Sequence, residues 1–289
     1  MVTHTLALDG VDLVYDVNGP LPSADDRPPL VLIAQPMDAS GFGSLVAQLP
    51  DRTTVTYDPR GLGRSVRTDA RVDNDPEVQA SDVRAVIEAL GAGPVDLFAS
   101  SGGAVTALAL VASHPDAVRT VVAHEPPLLS LLPDAEAAVR AQDLVRARYE
   151  KAGWGAGMAA FIAQTSWEGE FTDDYFSQPT PDPASFGLPV DDDGSRDDPL
   201  LSDRSLAVTR YRPDVAAIAA APVRVVIAVG EESSNVVTGR CAVATAELLG
   251  QEVTIFPSHH GGFMGGEFGG YTGQPEAFAE RLREVLASG

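Results

Sequence analysis

The chain begins with two segments in which apolar and polar residues alternate. They run over 3–8 and 11–17 and are joined by Asp9-Gly10. Alternation with a period of two is typical of a strand with one buried face, and Asp-Gly is a common hairpin turn. The start of the chain therefore predicts an antiparallel hairpin.

Beyond residue 30 the pattern changes to short runs that are continuously apolar. Such runs are typical of strands that are buried on both faces of a mostly parallel sheet. They occupy 30–34, 54–57, 95–99, 118–123, 223–229 and 253–256.

Stretches with apolar residues at helical spacing separate most of these runs. Several end at a Gly or Pro that stops a helix, as at Gly91, Pro115 and Gly250. Repeated alternation of strand and helix predicts an α/β fold with a mostly parallel, eight-stranded sheet and helices on both faces. The predicted helices cover 42–49, 78–90, 104–112, 237–249 and 275–286.

One segment, 127–220, breaks the alternation. It contains helical patterns at 134–151 and 154–165 and a weaker one at 206–211, but no run typical of a buried strand. Residues 173–203 between them are rich in Pro, Asp, Ser and Gly. We interpret 127–220 as a helical cap inserted into a core domain made of residues 1–126 and 221–289.

Charge limits the classes of partner. Of the 289 residues 41 are acidic and 20 basic, which gives a formal net charge of −21. A surface this negative repels phosphate backbones and anionic lipids, so we expect neither a nucleic-acid nor a membrane partner. The first residues carry no basic segment followed by a long apolar stretch, so we expect no signal peptide and a cytoplasmic location. Nothing in the composition indicates an oligomeric state.

The strongest chemical signal is the run Val95 to Leu110, where a predicted strand passes directly into a predicted helix. A nucleophile at such an elbow needs small residues two positions before and two after it, because the turn is too tight for larger side chains. Ser101 meets this condition with Ala99 and Gly103, whereas Ser100 would place Phe98 in the tight position. The sequence therefore predicts Ser101 as a nucleophile.

A second motif directly follows the strand at 54–57. It has the pattern D-x-R-G-x-G-x-S, formed by Asp58, Arg60, Gly61, Gly63 and Ser65. In the order of its elements and in this turn, the chain resembles the α/β-hydrolase superfamily over nearly its whole length. The H-G-x-P loop that this family carries after its third strand is partly met, because Gln35 and Pro36 fit while Ile33 and Ala34 replace the His and Gly.

The resemblance implies the oxyanion hole and the base. The family uses the backbone N–H after the nucleophile and one from the H-G-x-P loop, which are Gly102 and Gln35 in this chain. The other register would use Pro36, which has no N–H. The Gln35 side chain is either a further donor or an ordinary loop residue. The family's catalytic histidine follows the last strand, where His259 and His260 both lie; we favour His260 because Gly261-Gly262 leaves room for its ring to turn.

The acid that orients the catalytic histidine is the point at which this chain departs from the family pattern. The family's usual Asp would lie three residues after Gly230, but Ser233 occupies that position. Glu231 and Glu232 precede it, and Glu125 follows the strand at 118–123, from which some members, including certain haloalkane dehalogenases, take their acid. We favour Glu125 with Glu232 as the runner-up; the plainer interpretation of Glu125 is a solvated residue at the start of the insertion. His124 is assigned no role.

These residues predict a serine hydrolase that acts on an ester-like small molecule without a cofactor. The aromatic residues of 154–176 favour an apolar substrate, although packing within the insertion explains most of them. No metal is expected, since adjacent histidines diverge and no Cys or third His lies at ligand spacing. Two alternatives stay open: a cofactor-free non-hydrolytic enzyme on the same fold (a lyase, a cyclase, or a haloperoxidase or perhydrolase), and a non-catalytic binding protein.

Overall fold

The computed structural model describes residues 1–23, 27–72, 74–267 and 271–288. All eight predicted strands are present, together with a two-residue strand, β5, that the sequence did not indicate. The strands are β1 (Val2–Leu8), β2 (Val11–Asn18), β3 (Leu30–Gln35), β4 (Thr54–Tyr57), β5 (Val66–Arg67), β6 (Val95–Ser101), β7 (Val118–His124), β8 (Arg224–Gly230) and β9 (Thr254–Phe256).

The sheet has the order β1-β2-β4-β3-β6-β7-β8-β9, and β5 pairs with β2 at the side. The predicted hairpin β1-β2 forms the antiparallel edge, and β2 is also antiparallel to β4. From β4 onward in the sheet order, the strands β4, β3, β6, β7, β8 and β9 are parallel to one another. The central strands are buried on both faces, which is why their sequences are continuously apolar. Since they are parallel, the carboxyl ends of β6, β7, β8 and β9 lie at one edge of the sheet.

Helices cover both faces of the sheet, as predicted. They are α1 (Gly43–Ala47), α2 (Pro76–Leu90), α3 (Gly102–Ser113), α4 (Ala135–Thr165), α5 (Asp173–Phe176), α6 (Leu206–Thr209), α7 (Val215–Ala220), α8 (Val237–Leu248) and α9 (Pro275–Ala287). One apolar cluster joins the sheet to α2, α3 and α8 on the first face, and another joins it to α1 and α9 on the opposite face.

The segment 127–220 is described throughout and contains helices but no strand, apart from a single bridge between Glu168 and Val236. Its long helix α4 is kinked at Ala152 and Gly153, and Gly153 has a φ of 82°. The two predicted helical patterns, 134–151 and 154–165, are the two arms of this helix. A glycine at the kink supplies a backbone conformation that other residues adopt only with strain.

Within the described ranges, no helix combines the length and the apolar character needed to span a membrane.

Candidate active site

Ser101 lies at the turn between β6 and α3. Its φ of 56° and ψ of −128° are strained for a residue with a side chain, and strain of this kind is typical of a strand–nucleophile–helix elbow. A Cβ atom on Gly103 would lie 2.6 Å from the Cα of Ala34 and 2.8 Å from the carbonyl oxygen of Ile33. The neighbouring strand β3 therefore leaves no room for a side chain at Gly103. This agrees with the requirement for a small residue two positions after the nucleophile, on which the choice of Ser101 rests.

Glu125 and His260 form a close polar contact at the same edge of the sheet. Glu125 directly follows β7, and His260 lies in the loop after β9. The Oε2 atom of Glu125 is 2.7 Å from Nδ1 of His260, and its Oε1 accepts the backbone N–H of Gly230 at 2.8 Å. Glu125 is fully buried and has a φ of 48°, so it is not the solvated residue of the plainer interpretation.

The surroundings of Glu125 favour its charged form. Burial alone would raise the pKa of this carboxyl group, but hydrogen bonds from His260 and Thr238 and the nearby histidines together hold it below its usual range. Glu125 is therefore an anion against the imidazole of His260, whose side chain is about one-third exposed (30%). This arrangement orients the ring with Nδ1 toward the carboxylate and leaves Nε2 on the other side of the ring.

The other histidine of the loop has different partners. Nε2 of His259 lies 3.2 Å from the carbonyl oxygen of Thr272, and its Nδ1 accepts the N–H of Gly261 at 3.1 Å. Its ring packs on Tyr271 with the centroids 4.3 Å apart. These contacts hold His259 within its own loop.

The two alternative acids lie in the turn after β8. Glu231 and Glu232 are exposed, and Glu231 accepts the backbone N–H of Ser258 at 3.3 Å. Ser233, at the position of the usual family acid, is buried, and its carbonyl oxygen lies against Gly239 of α8. Of the three candidate acids, Glu125 is the one whose side chain contacts His260.

The two predicted oxyanion donors are adjacent. Gln35 is the residue opposite Ser101 in the β3–β6 register, and Gly102 begins α3. A Cβ atom on Gly102 would lie 2.9 Å from Cβ of Gln35 and 3.0 Å from Cγ1 of Val208 in α6. Both polar atoms of the Gln35 side chain are buried without a hydrogen-bond partner among the described residues. The elbow, the β3 loop and α6 thus meet around Gln35.

The D-x-R-G-x-G-x-S residues form a structural network beside this loop. The buried carboxylate of Asp58 accepts the N–H of Ala39 at 3.0 Å and the N–H of Arg64 at 2.8 Å. The hydroxyl of Ser65 donates to the carbonyl oxygen of Asp58 and accepts the N–H of Val14. Arg60 makes a two-point ion pair with Asp82 of α2, through bonds of 2.7 and 2.6 Å. The motif therefore anchors the start of the loop that follows Gln35.

His124, to which the sequence assigned no role, lies beside Glu125 and His260. This residue ends β7, is fully buried, and stacks on the ring of His260 with the centroids 6.0 Å apart. Its position next to Glu125 in the chain was the available signal, because consecutive residues at a strand end reach the same edge of the sheet.

Burial lowers the pKa of His124 to about 4, so the ring is neutral in the folded protein near neutral pH. Between pH 6.5 and about pH 4, His124 binds a proton in the unfolded chain but not in the folded chain. The protein therefore loses stability as the pH falls through this range. We expect the free energy of unfolding to fall between pH 7.5 and pH 5 by about 2 kcal/mol more in the wild type than in His124→Gln. Urea denaturation at both pH values measures this difference, and equal losses would contradict it.

Aromatic residues of the segment 127–220 pack chiefly on one another. The ring of Tyr175 contacts Trp167, Phe171 and Phe176 with centroids 4.8–5.3 Å apart. Packing within the segment accounts for these four side chains, as the sequence analysis expected for most of them.

Comparisons with known proteins agree with this architecture. A family model described as alpha/beta hydrolase fold matches residues 36–166. The chain is 25% identical over 301 aligned positions to the uncharacterized hydrolase YraK of Bacillus subtilis (strain 168), and the match covers 98% of this chain and 95% of that protein.

Two solved structures extend the comparison to the whole fold. A thermophilic esterase from Thermogutta terrifontis superposes with a TM-score of 0.65 at 18% identity, covering 100% of this chain and 99% of that one. The enol-lactonase from Burkholderia xenovorans LB400 gives 0.65 at 19% identity, covering 98% and 100%. Identities this low establish a shared fold and no more. Together with the family model over 36–166 and the sheet order, they show that the protein has the α/β-hydrolase fold.

Proposed function

We propose that the protein is a serine hydrolase that cleaves an ester-like small molecule through Ser101, His260 and Glu125. The observation that carries the proposal is the 2.7 Å contact between the buried Glu125 carboxylate and His260 at the edge of the sheet where the strained Ser101 turn lies. A nucleophile at an elbow, a base and an acid that orients the base are the three parts of a hydrolytic triad.

In the proposed reaction the hydroxyl oxygen of Ser101 attacks the carbonyl carbon while Nε2 of His260 takes its proton. The backbone N–H groups of Gly102 and Gln35 stabilise the negative oxygen of the tetrahedral intermediate. His260 then gives the proton to the leaving alcohol as the C–O bond breaks. A water molecule, deprotonated by His260, then attacks the acyl carbon. The bond between that carbon and the Ser101 oxygen breaks, His260 returns the proton to Ser101, and the carboxylic acid is released.

Two further points concern the substrate. The two neighbours that share the fold are named as an esterase and an enol-lactonase, and a lactone is a cyclic ester, which supports an ester-like substrate here. Val208 of α6 lies against Gly102, so an apolar side chain borders the proposed oxyanion hole. We therefore propose that the bound substrate is apolar.

We also propose that residues 127–220 act as a cap over a core domain made of residues 1–126 and 221–289.

A fluorophosphonate probe tests the nucleophile. It phosphonylates serines that a neighbouring base activates, so the folded wild type should be labelled on Ser101 and Ser101→Ala should not. Mass spectrometry of the labelled peptide identifies the residue, and hydrolysis of p-nitrophenyl esters of increasing acyl length measures turnover.

Two results would count against the proposal. Absence of labelling in folded wild-type protein would exclude an activated serine and favour a binding protein. Labelling of Ser101 without turnover of any ester would favour a non-hydrolytic enzyme on the same fold.

A further inference from the structure

His124 is enclosed by aromatic rings. Four phenylalanines surround it with centroids 5.4–6.5 Å from its own, and we call them the phenylalanine cage: Phe98, Phe256, Phe263 and Phe278. They come from β6, β9, the loop after β9 and α9. The cage excludes water from the imidazole and contributes no charge to it.

The polar atoms of His124 face the proposed catalytic residues. Nδ1 lies 3.3 Å from the hydroxyl oxygen of Ser100, the residue before the nucleophile. Nε2 lies 3.8 Å from Oε1 of Glu125 and has no hydrogen-bond partner among the described residues. The ring plane is inclined by 23° to that of His260. Each oxygen of the Glu125 carboxylate therefore faces one imidazole nitrogen, Oε1 that of His124 and Oε2 that of His260.

The titratable groups that act on His124 are Glu125, His260 and His259. Burial outweighs the attraction of the Glu125 charge and lowers the pKa of His124, so the ring stays neutral. A neutral imidazole carries one proton, on either Nδ1 or Nε2. The two choices present opposite ends of an N–H dipole to Glu125.

Electrostatics selects one tautomer. A bare Nε2 would direct a lone pair at an anionic carboxylate in a water-free site, which is repulsive, whereas Nε2–H directs its positive end there. With the proton on Nε2, Nδ1 becomes an acceptor, and the hydroxyl group of Ser100 can donate to it. The Ser100 hydroxyl, the His124 ring and the Glu125 carboxylate then form one polar chain with consistent donors and acceptors.

We propose that His124, as the neutral Nε2–H tautomer, is a positioning residue that holds the Glu125 carboxylate in the orientation His260 requires. This role rests on the proposed function. His124 and the N–H of Gly230 both face Oε1 of Glu125, which leaves Oε2 for His260. Its ring also supports the face of the His260 imidazole. The Ser100 contact connects this arrangement to the strand that carries Ser101.

Three substitutions separate the polar role from packing. Glutamine places an amide group near the position of Nε2, asparagine near that of Nδ1, and phenylalanine keeps an aromatic ring without polar atoms. We expect His124→Gln to keep kcat within about threefold of the wild type, and His124→Asn and His124→Phe to lose about 10–100-fold in kcat with little change in KM. Circular dichroism and urea denaturation confirm that each variant is folded.

Long-range ¹⁵N–¹H correlation spectra of histidine-labelled protein read the tautomer directly, in Ser101→Ala as well as in the wild type. We expect His124 to stay neutral and protonated on Nε2 from pH 8 to pH 5.

Different results would overturn the proposed hydrolase function and the proposed role of His124. An inactive wild-type protein overturns the proposed function, whereas a proton on Nδ1, or equally slow Gln and Phe variants of an active enzyme, overturns the role of His124.

Discussion

Ser101→Ala is expected to lower kcat toward p-nitrophenyl esters by about 10⁴–10⁶-fold, because the variant has no atom that can form the acyl-enzyme. Residual hydrolysis would come from water attacking a bound ester in the oxyanion hole. The fold should persist, since alanine is smaller than serine and its side chain requires nothing of the elbow. Steady-state kinetics with purified protein measure the loss, and thermal unfolding compares the stability of the two proteins.

Two other serines provide matched controls. Ser113 ends the same helix, is exposed, and donates to the carbonyl oxygen of Ala109, so Ser113→Ala should keep wild-type turnover. Ser100→Ala loses the contact with His124 but should still be labelled on Ser101 by the fluorophosphonate probe. Loss of labelling in Ser100→Ala with normal labelling of Ser101→Ala would instead make Ser100 the nucleophile.

Much of the fold could be predicted from the sequence because the central sheet has a strong local signature. A strand buried on both faces must be apolar throughout, and each such run in the chain became a strand. The two-residue strand β5 has no such run, because Val66 is exposed and its pairing with β2 depends on the position of the preceding turn. This strand therefore depends on a tertiary contact with β2, which no local pattern in the sequence indicates.

The elbow was predictable for a related reason. Its requirement for small residues at Ala99 and Gly103 acts within a few positions of Ser101 and is therefore visible in the sequence. The acid is different. Glu125 and His260 are 135 positions apart, and only the order of strands brings them together. The sequence could offer Glu125, Glu231 and Glu232 as candidates but could not measure their distance to the ring.

His124 illustrates a further limit of local patterns. A histidine at the end of an apolar strand is compatible with ordinary packing, and its neighbours along the chain do not indicate a cage. The four phenylalanines belong to separate elements and meet only in the folded core. That enclosure, together with the contacts to Ser100 and Glu125, distinguishes His124 from a histidine that only fills space in the core.

The second large effect concerns the acid. Glu125→Gln is expected to reduce kcat by about 10³–10⁴-fold, as an amide in place of a triad carboxylate stabilises the wrong histidine tautomer. The glutamine oxygen can still accept the N–H of Gly230. Its amide group then donates to Nδ1 of His260, so the ring carries its proton on Nε2 and cannot accept one from Ser101. The loss of the negative charge also removes the stabilisation of the imidazolium ion. Steady-state turnover of a p-nitrophenyl ester measures the effect.

Glu232→Gln is the matched control, because it makes the same chemical change at an exposed position in the turn after β8. It should retain wild-type kcat, and so should Glu231→Gln, whose side chain contacts only a backbone N–H among the hydrogen bonds found for the described residues. If Glu125→Gln kept full turnover while Glu232→Gln lost it, the turn after β8 would supply the acid as it does in the usual family pattern. The buried contact between Glu125 and His260 would then serve stability alone. The comparison is decisive because both variants remove one negative charge, so a general effect of net charge cancels between them.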